Sequence, residues 1–308
     1  MLLNYWHLYC VLLNVSDNKG LIELLALKKL LYICSGRVTM SLTDILVHID
    51  DSAASPGRLA TALLIAAAHR ARVTGLFVVT HGYYQPSHLH AEEAVAEAMR
   101  LFSAVTANAG VEGRWVCADW SVVGISSAEI ISHYAHYTDL LVIGQAESVA
   151  GDGKGHADLP ERLILSSGRP VLVVPAVNMA RAIGKKVLVA WKAGRESTRA
   201  VNDALPILKK SERVTLLAIN SSDVYDDDDT LYSNILDHLD RHGISAVVER
   251  VPALQLSIGD TILNRTFEEG YDLLVMGAFA HTPQGTLSLG NVARQMLQQA
   301  TVPILFSH

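Results

Sequence analysis

Apolar residues along this chain come in two alternating rhythms. Short runs such as "DILVHID" (44–50), "VTLLAI" (214–219) and "DLLVMG" (272–277) are apolar at nearly every position. Between them lie longer stretches in which apolar residues recur every three or four positions. The first rhythm suits a strand buried on both faces, the second a helix that covers one of them. Strands are predicted near 44–49, 73–79, 112–117, 139–143 and 170–174, then near 185–191, 213–219, 245–251, 272–276 and 302–306. Helices are predicted near 56–71, 90–109, 126–137 and 158–167, then near 195–210, 229–242, 258–269 and 291–300. Such alternation is that of βαβ units in a parallel sheet. Right-handed crossovers then give a doubly wound sheet, with ligands expected outside the carboxyl ends of the strands.

The pattern also repeats. "DLLVIG" (139–144) matches "DLLVMG" (272–277), and "RPVLVVP" (169–175) matches "VPILFS" (302–307) with Pro170 and Pro303 aligned, both at an offset of 133 residues. "DILVHID" (44–50) matches "KVLVAWK" (186–192) at an offset of 142, so the second unit is nine residues shorter between its first and fourth strands. A repeat of this length implies duplication of a whole domain. The predicted organisation is a first domain over 40–177, a linker near 176–184 and a second domain over 184–308, preceded by an extension at 1–39.

Composition narrows the function. Of the 308 residues half are hydrophobic, enough for large cores, while the charged fraction is 18% and the net charge −6. An acidic balance argues against nucleic acid as a partner. Cys10, Cys34 and Cys117 form neither a metal-ligand spacing nor a disulfide framework, which suits a reducing compartment, and a cytoplasmic location is expected. The extension opens "MLLNYWHLYCVLLNV", too interrupted for a spanning helix and without the basic start of a signal peptide, so no membrane association is expected. Its "LIELLALKKLLYI" (21–33) could form an accessory helix; the favoured reading is that Met40 is the true start, because "SLTDILVHID" reads as an ordinary first strand.

A first strand ending in Asp, five parallel strands, "DLLVMG" as the fourth strand and the closing "TVPILFSH" together resemble the universal stress protein family in its tandem two-domain form. The likeness covers about residues 42–308 and implies two tandem doubly wound five-stranded parallel sheets, Rossmann-like and of the adenine-nucleotide alpha-hydrolase type. In nucleotide-binding members, fourth strand and fourth helix are joined by Gly, two residues, Gly, nine residues, then Gly and Ser or Thr. The second unit keeps that spacing as Gly277, Ala280, Gly290 and Asn291, with two of the chemical positions changed. The family's first strand ends in an Asp that faces the nucleoside; here Lys192 stands in the second unit and Asp50 in the first, whose own loop after Gly144 lacks the spaced glycines. The candidate binding residues are therefore Gly277, Ala280, Gly290, Asn291, Lys192 and Asp50. An alanine at a loop position where Gly takes positive φ would be strained by about 1–2 kcal/mol. Asn291 is expected to cap the helix that begins there, leaving its dipole available to an anion.

Other motifs carry less. "GDGKGH" (151–156) has Ser148 and Gly155 where a phosphate loop needs Gly and a hydroxyl, so it reads as a plain loop. The aspartates of "DVYDDDDTLY" (223–232) read as a solvated helix start rather than a metal site, and His281 as a turn residue. No nucleophile–base spacing stands out. The resemblance implies a regulatory or protective ligand-binding module of the stress response rather than an enzyme, holding ATP or another adenine nucleotide weakly. Its alternatives are a ligand-free interaction scaffold or, with less support, a nucleotide hydrolase. The two units are expected to pack as an intramolecular pseudo-dimer through the final strands ending at Val174 and Phe306, and a homodimer of the whole chain is possible. A chain starting at Met40 is expected to match the full chain in solubility and thermal midpoint; aggregation on truncation would show instead that the extension packs on the core.

Overall fold

Residues 41–80, 88–120, 125–145, 158–176, 182–220, 229–252, 256–281 and 287–308 are described by a computed structural model. The extension, "GDGKGH" and the aspartates at 223 and 226–228 lie outside the described residues. In the first half the order is β1 (Asp44–Ile49), α1 (Ser55–His69), β2 (Arg72–Thr80), α2 (His88–Ala109), β3 (Gly113–Trp120), α3 (Ser127–Ala135), β4 (Leu140–Gly144), α4 (Leu159–Ser166) and β5 (Val171–Val174). The second half runs β6 (Lys186–Ala190), α5 (Arg195–Leu208), β7 (Arg213–Asn220), α6 (Asp229–Arg241), β8 (Ala246–Pro252), α7 (Ile258–Glu268) and β9 (Leu273–Gly277). It then continues as β10 (Phe279–His281), β11 (Leu287–Leu289), α8 (Asn291–Gln299) and β12 (Ile304–Ser307). The short antiparallel hairpin β10–β11 is an element that hydrophobic periodicity did not predict.

The matched "DLLV" runs owe their aspartate to strand starts. Asp139 accepts from Thr43 N (2.7 Å) and Asp44 N (3.0 Å), tying the start of β4 to that of β1. Its repeat partner Asp272 accepts from Lys185 N (3.0 Å) and Lys186 N (3.2 Å), doing the same for β9 and β6. Each clamp satisfies backbone donors that lie beyond the ladder.

Among the described residues, ten strands form one sheet in the order β3-β2-β1-β4-β5-β12-β9-β6-β7-β8. All neighbours are parallel except β5 and β12, which pair antiparallel with Val171 opposite Phe306, Leu172 opposite Leu305 and Val173 opposite Ile304. The two five-stranded parallel halves thus meet edge to edge through the strands that the repeat singled out. Leu172 and Leu305 are repeat equivalents at the 133-residue offset, and they face each other. A local two-fold relating the halves therefore passes between them.

Both cores cross this junction. On one face α1, α2, α5 and α6 pack with Leu172 and Leu305; on the other α3, α4, α7 and α8 pack with Val171, Val173, Ile304 and Phe306. Leu172, Leu305 and Phe306 are fully buried, worth roughly 1.5–3 kcal/mol each against exposure. Polar contacts follow the same two-fold. Arg294 of α8 pairs with Glu161 of α4, its own repeat equivalent, at 3.1 Å. Gln145 Nε2 donates to the Leu297 carbonyl at 2.7 Å, and Lys210 Nζ donates to the Ala68 carbonyl at the end of α1.

Separating the halves would bare two strand edges and cut both cores, an established route to aggregation. Residues 41–176 and 184–308 produced as separate chains are expected to self-associate. Sedimentation showing two well-behaved monomers would refute the dependence.

Candidate functional site

Because β5 and β12 are antiparallel, the two halves point the carboxyl ends of their strands toward opposite edges of the sheet. Asp50, at the end of β1, is thus kept apart from Lys192, Gly277, Ala280, Gly290 and Asn291, which gather at the ends of β6 and β9.

The backbone at the two ends is built alike. After β1 the chain turns into α1, and Asp50 N donates to Ser55 Oγ at 3.3 Å; after β6, Lys192 N donates to Ser197 Oγ at 3.4 Å. Ser55 and Ser197 are equivalents at the 142-residue offset. Each serine holds the strand-to-helix turn against its helix. The side chains on these matching frames then differ in charge.

In the first half Asp50 is held by its own chain. Arg58, on the first turns of α1, donates through Nη2 to Asp50 Oδ1 at 2.7 Å. The same Oδ1 accepts from Ser52 N at 3.1 Å and from Ser52 Oγ at 2.5 Å. His48 Nδ1 lies 3.5 Å from Arg58 Nη1 and 3.7 Å from Asp50 Oδ2. Arg58 is 3% exposed, so the guanidinium is removed from water while the Asp50 carboxylate stays half-buried. Burial pushes the Asp50 carboxyl up, but the Arg58 guanidinium, His48 and the Ser52 hydroxyl outweigh it and hold it at about 2. The guanidinium also stands over the end of β4, where a methyl carbon at Gly144 would come within 3.0 Å of Arg58 Nη1. Sequence reading found Asp50 but missed Arg58 and His48. The available signal was a lone Arg one helical turn inside an otherwise apolar helix.

In the second half Gly277 acts through space rather than through an unusual dihedral. A Cβ at Gly277 would lie 2.7 Å from Glu196 Cβ and 2.8 Å from Glu196 C, so only glycine lets the start of α5 lie against the end of β9. Gly290 is the N-cap of α8, with φ −64° and ψ 155°, an extended conformation open to any residue. Asn291 is the first helical residue and not the cap expected of it; the turn begins one residue earlier, where Arg294 N donates to the Gly290 carbonyl at 3.0 Å. With no side chain capping it, the first turn of α8 keeps N–H donors without a helical acceptor. Gly290 N reaches the Ala278 carbonyl at 3.4 Å, which draws the α8 start to the end of β9. Ala280 pairs with Ser288 in the β10–β11 ladder, an extended state that alanine adopts without the strain expected of it. Lys192 is exposed at the end of β6. Among the described residues no group of three or more His, Cys, Asp or Glu is placed to hold a metal ion, and no helix is long and apolar enough to cross a membrane.

Comparison with known proteins agrees with this architecture. Residues 184–308 match the model of the universal stress protein family. Among solved structures the chain is similar to a universal stress protein from Archaeoglobus fulgidus DSM 4304, with TM-score 0.65 and 16% identity over 86% of this chain and 97% of that one. It is also similar to a functionally unknown protein from Pseudomonas aeruginosa PAO1, with TM-score 0.57 and 17% identity over 88% of this chain and 94% of that one. No curated protein matches the chain in sequence. At these identities the solved structures establish the fold, a mostly parallel α/β sheet with alternating strands and helices.

The Asp50–Arg58 pair makes acid stability testable. The folded carboxyl titrates near 2 against an ordinary value of 3.8. A depressed carboxylate contributes stability above its unfolded pKa and loses it as pH falls toward the folded one. Wild-type protein is expected to lose about 2 kcal/mol from this pair between roughly pH 4 and pH 2. Asp50→Asn should be less stable at neutral pH and show a shallower acid slope in urea titrations; an unchanged slope would acquit the pair.

Proposed function

Starting from residues 184–308 as a universal stress protein domain, we propose that the chain is a regulatory, stress-responsive module that binds an adenine nucleotide weakly in its second half. One observation supports this above the others: Gly277, Gly290 and the uncapped start of α8 are drawn together at the end of β9, with Lys192 exposed at the neighbouring strand end. The free N–H groups and the helix dipole favour an anion at that point, and an ammonium group nearby adds to the attraction. What is weak is the rest of the site. Lys192 cannot accept hydrogen bonds from sugar hydroxyls as a carboxylate does, and Asn291 stands where a hydroxyl is expected. The reading is of binding rather than turnover.

The closed first half favours a second reading, a scaffold that uses its surface and needs no ligand. Calorimetry with ATP separates the two. The wild type is expected to bind with a dissociation constant of about 0.1 mM or weaker, equivalent to roughly −5.5 kcal/mol or less. Ala280→Gly with Asn291→Ser should tighten it by about tenfold, or 1.4 kcal/mol, by withdrawing a methyl group from the loop and restoring a hydroxyl at the helix start. Micromolar binding by the wild type would overturn the weakened site; no gain in the double variant would overturn its location and favour the scaffold.

A further inference from the structure

The first half carries a guanidinium where the second half carries a methyl group. Arg58 and Ala200 occupy the same place at the 142-residue offset that aligns β1 with β6. Both are buried, at 3% and 0% exposure. Ala200 shows that this turn of the helix packs on the sheet without an arginine. The arginine therefore has a local purpose at the strand ends.

Three features describe what it does there. First, it joins Ser52 in crowding one carboxylate oxygen at the end of β1. Asp50 Oδ1 takes Ser52 N, Ser52 Oγ and Arg58 Nη2 within 3.1 Å, while a carboxylate oxygen offers about two lone pairs. Second, it occupies the space between β1 and β4: a Cβ at Gly144 would lie 3.0 Å from Nη1, a tight approach. Third, it is not fully satisfied, since Arg58 Nε is buried with no hydrogen-bond partner. Most buried donors in a fold are met, so this guanidinium is imperfectly housed.

We propose that Arg58 is an intramolecular occupant of the first-half ligand site, closing it to hydroxyl-bearing small molecules such as nucleosides and leaving the chain with a site at one end only. This rests on the reading of the strand ends as ligand sites. Asp50 is the group that Arg58 engages: without the guanidinium beside it, its carboxylate could accept a hydroxyl of a sugar. The second half shows the converse arrangement, with the space of the guanidinium absent and the carboxylate replaced by Lys192.

Equilibrium dialysis of the full chain against labelled adenosine, up to about 1 mM, counts the sites. Arg58→Ala installs the second-half residue and is expected to add one adenosine per chain over the parent. Adding Asp50→Asn to that variant should weaken the new site by about tenfold or more, a change that a purely structural arginine would not produce. If Arg58→Ala leaves Asp50 too poorly compensated to fold, Arg58→Gln withdraws the charge while keeping an amide donor, and the same increment is expected. Folded variants with no added site would overturn the proposal, as would a parent that already binds two adenosines. A parent that binds none would count against the second-half reading alone, and the increment on Arg58→Ala would still decide this one.

Discussion

The antiparallel pairing of Val171–Val174 with Ile304–Ser307 is the contact on which the rest of the molecule depends. A parallel sheet must end somewhere, and its last strand leaves a row of unpaired N–H and C=O groups with apolar side chains above and below. Here each half supplies the other's missing neighbour. The pairing removes two edges and makes each helical layer continuous over ten strands. It also reverses one half with respect to the other, which sends the two sets of strand ends to opposite edges. The ends of β1 and β6 are therefore held apart, at opposite edges of the sheet.

Much of this could be read from residue order. The aligned Pro170 and Pro303, each followed by a short apolar run, marked the strands that meet at the two-fold. The repeated "DLLV" marked β4 and β9, and the clamps of Asp139 and Asp272 give the physical reason for its aspartate. The β10–β11 hairpin was not legible, because three-residue strands are too short to carry a period. The place of Asn291 was missed for a related reason: a helix can start one residue earlier or later at almost no cost in pattern, and Gly290 took the cap. Arg58 was the larger omission. Its pairing with Asp50 needs the turn between β1 and α1 to close tightly, as the Asp50 N to Ser55 Oγ bond makes it do. No spacing rule reads that from the letters.

Set side by side, the two strand ends share a backbone and oppose each other in electrostatics. One has an acid neutralised by a buried base; the other has an exposed ammonium and an uncapped helix start. The first arrangement costs desolvation that Arg58 offsets together with His48 and the Ser52 hydroxyl, so it is sensitive to loss of Arg58. The second keeps its charge in water, where salt screens it. The two halves share one frame, and the residues at 50, 58, 192 and 200 make them unlike in charge.

The pair between Glu161 and Arg294 shows why fusion matters for such divergence. In a dimer of identical subunits, a residue near the symmetry axis confronts its own copy, so any charge placed there meets the same charge. Every mutation at that place arrives twice. Once both subunits lie in one polypeptide, the two positions inherit separately, and one can turn acidic while the other turns basic. Covalent linkage thus converts a place of forced self-repulsion into one of attraction, and gives the chain a left and a right that no homodimer can have.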